Sequence, residues 1–137
     1  MLRSTIQRAG FAVIGSACFI GSATAADLTG AQIKELISGK SVYLELTAAS
    51  TGGVGQGVIY YAADGTALYK TASGKVWHGT WSVKDNTGCT DWKESPNNAC
   101  SKYDKQGDVI TQINVATGKP RGKVLKTAAG NAEKIAP

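Results

Sequence analysis

From residue 41 onward the chain is a succession of short segments that alternate apolar and polar residues, cut at regular intervals by turn chemistry. Ser41 to Thr47 (SVYLELT) sets Val42, Leu44 and Leu46 on one face and Tyr43 and Glu45 on the other. Period two marks a half-buried strand. The glycine-rich run 52–57 reads as a loop and Val58 to Ala62 as a second strand. Asp64-Gly65 is a tight-turn signal before a third strand, Thr66 to Thr71. Val76 to Val83 is a fourth, with Trp77, Gly79, Trp81 and Val83 sharing a face. Further strands are expected at Cys89 to Lys93, Cys100 to Lys105, Val109 to Val115 and Lys123 to Thr127. Seven to eight short strands at this spacing predict an all-β fold, a small antiparallel up-and-down barrel or sandwich. Closure into a barrel would leave no unpaired edge.

One short N-terminal helix precedes the strands. Thr29 and Gln32 have the spacing of a capping box, Ile33, Leu36 and Ile37 follow at helical spacing, and Gly39 stops the run. The helix, about Gly30 to Ser38, is expected to plug one end of a barrel or lie on one face. The tail from Ala128 to Pro137 is expected to be peripheral.

Residues 1–25 read as a secretory signal peptide. Arg3 and Arg8 form a positive n-region, FAVIGSACFI is the apolar run, and Ala23-Thr24-Ala25 is a small-x-small cleavage signal. The run is shorter than the roughly 20 apolar residues that a membrane span requires. Lipidation at Cys18 is not expected, because Gly15 stands where a lipobox has a bulky aliphatic residue. Cleavage near Ala25 leaves one domain, residues 26–137, in the periplasm or outside the cell. Without Arg3 and Arg8 the balance is 13 basic against 10 acidic residues, or +3. The lysines are scattered, so nucleic acid is not expected; no later segment is apolar enough to span a membrane, and the product is expected to be a monomer.

Export leaves Cys89 and Cys100. An even pair in an oxidising compartment predicts a disulfide. Such a loop stabilises a fold by about 3 kcal/mol in the chain-entropy account. Zinc needs about four ligands, and His78 is the only histidine. Ten residues separate the cysteines, which does not match the Cys-x-x-Cys of redox sites.

Trp77 and Trp81 are expected to be core, with Gly79 making room for a large neighbour. The alternative is that they line a ligand cavity. Gly79-Thr80-Trp81 is similar to the Gly-x-Trp of lipocalins, although there the tripeptide lies on the first strand. His78 is expected on the solvent side. Asp91 and Glu94 flank turns, where acidic residues cap and solvate. Trp92 either packs over the disulfide or anchors a contact loop with Ser95, Pro96, Asn97 and Asn98, a segment pinned by the bridge and therefore cheap to order on binding. No catalytic constellation, metal site or cofactor is read from the sequence.

The succession of a leader, LTGAQIKELISGKSV, YYAADGTALY, GTWSV, paired cysteines around a tryptophan and a late AAGNAEKI resembles a group of small exported alphaproteobacterial proteins known only as a domain of unknown function. Gly79-Thr80-Trp81 with Cys89 and Cys100 is the most specific part. Ala132 follows Gly130-Asn131 where that group often has proline. The resemblance implies a compact envelope β-barrel, and it carries over no activity and no functional residue. The expected role is a non-enzymatic contact module for a protein or polymer partner in the envelope, inhibitor-like in outline. The alternative is a carrier of apolar small molecules.

Overall fold

The computed structural model describes Gly15 and residues 25–50, 52–95 and 99–137. The expected leader (apart from Gly15 and Ala25) and Pro96 to Asn98 lie outside the described residues. The elements are β1 (Ala26–Asp27), α1 (Gly30–Ile37), β2 (Lys40–Leu46), β3 (Gly55–Tyr61), β4 (Thr66–Lys70), β5 (Val76–Lys84), β6 (Thr87–Trp92), β7 (Ala99–Gln106), β8 (Val109–Asn114) and β9 (Pro120–Ala129).

Strands β2 to β9 pair antiparallel with their neighbours in chain order, and β9 returns to β2. The result is an eight-stranded, closed up-and-down barrel. Inward positions follow the alternation of the sequence: Val42, Leu44 and Leu46 are all buried, as are Ile59, Tyr61, Ala67 and Tyr69. The β5–β6 connection is a two-residue turn with Asp85 and Asn86 both at positive φ (47° and 59°). This is the hairpin geometry whose twist suits the flanking strands. Thr87 and Gly88, which precede the expected strand Cys89 to Lys93, are the first residues of β6.

Helix α1 forms where its cap predicts. The Thr29 hydroxyl accepts from the Gln32 amide, and the Gln32 side chain accepts from the Thr29 amide. The helix packs against β2, β5 and β6 and so closes one end of the barrel. Ile33 and Ile37 are fully buried there. Asn86 accepts from the Gly30 amide at 2.7 Å, tying the helix start to the β5–β6 turn.

Three features depart from expectation. Strand β1 adds a ninth, short strand outside the barrel closure, pairing Ala26 with Lys105 and Asp27 with Asp104 on β7. The tail is not peripheral. Ile135 is buried, Asn131 brackets it with two hydrogen bonds, and Ser41 bonds both Gly130 and Ala132. Finally, β9 starts at Pro120 and carries two bulges. Leu125 is the extra residue against β2, between Lys126 opposite Tyr43 and Val124 opposite Leu44. Arg121 is the extra residue against β8, between Gly122 opposite Gln112 and Pro120 opposite Ile113. A bulge re-aims a side chain, and here Arg121 is buried.

Candidate functional site

The end of the barrel opposite α1 is built from four connections: 47–54, 71–75, 93–98 and 115–119. Beneath them lies an aromatic layer. Tyr69 meets Trp77 edge-on at 5.6 Å and Trp92 at 5.5 Å, and Trp77 meets Trp92 at 6.4 Å. Such geometries suit the ring quadrupoles. Gly79 faces Trp92 across the β5–β6 ladder, and a Cβ there would meet the Asp91 carbonyl and the indole. A Cβ on Gly52 would collide with the Tyr69 ring, so the 47–54 loop lies directly on this layer. Trp81, farther along β5, packs edge-on against Tyr61 at 5.7 Å and donates its indole N–H to the Ala62 carbonyl at 2.8 Å.

Trp77 and Trp81 thus belong to the packed core, each half-buried. Trp92 is 5% exposed. Its burial removes it from the contact surface, because its ring is used by Tyr69 and Trp77. Ser95 is half-buried at the start of the disulfide-pinned loop.

Cys89 and Cys100 form the disulfide, and they are direct partners in the β6–β7 ladder. That ladder holds three residue pairs among the described residues, against seven for β2–β3 and six for β5–β6. Among the described residues the bridge therefore staples the shortest seam of the barrel. Where β6 leaves β7, β1 takes over, and the Leu28 amide donates to the Tyr103 carbonyl.

Behind this seam the interior turns polar. Gln112 donates to the Tyr103 hydroxyl at 2.9 Å, and Arg121 donates from one terminal nitrogen to Ser101 at 3.0 Å. With Ile37, Ile59, Tyr61, Gly88, Cys89 and Thr90 they wall a space of about 10 Å³. That volume is about the minimum for a single water. Trp77 and Trp81 do not line it. Desolvation pushes the Tyr61 phenol well above its ordinary pKa, and the neighbouring Tyr103 adds to the effect. Desolvation likewise raises Tyr103. Sequence reasoning missed this cluster. The sequence reading gives Ser101, Gln112 and Arg121 no inward role, and the Arg121 bulge has no local signal beyond the proline before it.

On the outer face His78 is half-exposed, as expected, and Glu94 turns back onto it. The carboxylate accepts from the His78 amide at 2.8 Å and faces ring Nδ1 at 2.7 Å. Partial desolvation pushes the Glu94 carboxyl up, but the His78 bonds outweigh it and the net shift is downward. The pair pins the start of the disulfide loop to β5. Among the described residues no group of three His, Cys, Asp or Glu side chains gathers as a metal site would require. No helix among them is long and apolar enough to cross a membrane. Comparison with protein-family models, curated proteins and solved structures gives no match.

Proposed function

We propose that this protein is an exported contact module, a rigid barrel whose loop end meets a protein partner in the bacterial envelope. The observation that carries the reading is the packed interior. Helix α1 fills one end, the aromatic layer fills the other, and the space between is the size of one water. Ligand pockets are typically about 300 Å³ or larger, so the packing favours contact over carriage of a small molecule. The disulfide supports an oxidising compartment, consistent with the leader read at residues 1–25 and with the resemblance to the exported alphaproteobacterial group. On this reading the chain needs no cofactor and performs no chemistry.

A photo-crosslinking residue placed at Lys93 on the loop end, and separately at Asp85 on the helix end, tests this in the exporting cell. A discrete adduct from Lys93 and none from Asp85 is expected. Adducts from neither, or from Asp85 alone, would overturn the reading.

A further inference from the structure

The two ends of the barrel differ in charge in a way the fold does not require. At the α1 end each of the three hairpin connections carries one aspartate: Asp64, Asp85 and Asp108. Aspartate is a natural turn residue, and Asp64 accepts from both the amide and the hydroxyl of Thr66. At the opposite end three of the four connections carry a lysine: Lys75, Lys93 and Lys119. Lysine has no turn-forming role. All three are exposed, and none forms an ion pair among the described residues. The single carboxylate in these connections, Glu94, is held by His78.

The same end carries the two most exposed large apolar residues among those described, Val54 (67%) and Val115 (53%). Between the 47–54 and 115–119 connections runs a groove of about 600 Å³ walled by Thr47, Ala48, Ala49, Thr117, Lys119 and Pro120. Its shape is fixed by the Thr47 hydroxyl, which donates to the Pro120 carbonyl at 2.6 Å, and by the Thr47 amide, which donates to the Arg121 carbonyl at 2.9 Å. The groove is therefore shallow and mostly apolar, with Lys119 in its wall, while Lys75 and Lys93 stand on the neighbouring connections of the same barrel end.

We infer that this groove docks an acidic peptide segment of a protein partner, an apolar side chain seated against Ala48, Ala49 and Pro120 with flanking carboxylates toward Lys119, Lys93 and Lys75. The inference rests on the contact-module reading and names its face and the chemistry of its partner. Charge complementarity at the rim sets encounter rate and orientation, while the apolar floor supplies burial. The lining argues for a peptide over a lipid leaflet, because its apolar part is Ala48, Ala49 and Pro120, small residues that offer little area to insert into a bilayer. Bilayer-docking surfaces also favour Trp and Tyr at the interface, and these four connections contain neither.

The test is fluorescence anisotropy of the full exported protein with a labelled peptide of alternating Glu and Leu. A Lys-Leu peptide and vesicles of phosphatidylglycerol serve as competing probes. The Glu-Leu peptide is expected to bind, with affinity falling as salt rises. The triple variant K75E/K93E/K119E should weaken it on the order of tenfold or more, because the exposed attractions become repulsions. A48W should weaken it comparably by filling the groove without changing charge. A cooperative thermal unfolding transition at an unchanged temperature establishes that both variants fold. No binding of the Glu-Leu peptide, equal binding of the Lys-Leu peptide, or binding unaffected by A48W would overturn the inference. Vesicle binding without peptide binding would reassign the face to lipid. A Lys93 crosslink with no peptide binding would leave the contact reading standing and sink only the acidic groove.

Discussion

The two walls of this barrel are held by different means. Strands β2 to β5 follow the sequence alternation, pair through ladders of four to seven residue pairs and bury Val42, Leu44, Leu46, Ile59 and Tyr69. Strands β6 to β9 include the three-pair β6–β7 seam among the described residues, and beside Trp92 and Tyr103 they bury Ser101, Gln112 and Arg121. That wall depends on added devices: a disulfide, the extra strand β1, and a bulge that brings a guanidinium inside. Apolar burial is non-directional, so the first wall tolerates small adjustments. A buried polar cluster holds only while its hydrogen bonds stay paired, so the second wall is the more cooperative and the more conditional.

The largest effect should come from the first wall. Leu44→Ala removes a fully buried side chain from β2, at a cost of about 4 kcal/mol in chemical denaturation. A loss below about 1 kcal/mol would mean that this wall is not the main apolar core.

Next comes the staple. Replacing Cys89 and Cys100 together by alanine should cost about 3 kcal/mol. Hydrogen exchange sharpens the comparison. Amides of Gly88 to Thr90 and Ala99 to Ser101 should lose protection first, while the β2–β3 ladder keeps it. Uniform loss across the barrel would show that the two walls are one cooperative unit.

The smallest effect is the pH response. Tyr61 and Tyr103 sit above their ordinary pKa in the folded state. They contribute stability that is complete below the unfolded phenol value of about 10 and is lost as pH rises through the raised folded values. Melting temperature should therefore fall on the alkaline side, and Tyr61→Phe should flatten that limb. Glu94 acts on the opposite side. Its pKa is lowered, so its contribution is present at neutral pH and fades as pH falls through the acid range. Glu94→Gln should flatten the acid limb. Profiles unchanged by either substitution would detach these groups from folding.

Legibility follows the same division. Strand β2 and the helix cap were readable because their signals are local: period-two alternation in Ser41 to Thr47, and the Thr29–Gln32 box. The start of β3 was set late, at Val58 rather than Gly55, because Gly-Gln-Gly carries almost no side-chain pattern. Strand β1 spans two residues and exists only because β7 offers it an edge. Ile135 is buried by contacts of the tail with Ser41, about ninety residues away in sequence. Arg121 was not singled out, because its inward direction comes from a bulge against β8. At the candidate contact surface the disulfide was legible from the cysteine pair. The burial of Trp92 was not, since it depends on Gly79 across the ladder. Nor was the charge difference between the barrel ends, which appears only when the connections are sorted by topology.

The central claim is that the barrel is packed and acts through its surface. The most direct test is the native mass of the protein purified from the periplasm of its own host, compared with its denatured mass. The account predicts a native monomer equal to the chain from about Ala26 less two thiol hydrogens, with no small adduct. A stoichiometric small-molecule adduct that is lost on denaturation would contradict it and restore the carrier, with Trp77 and Trp81 as the first positions to substitute.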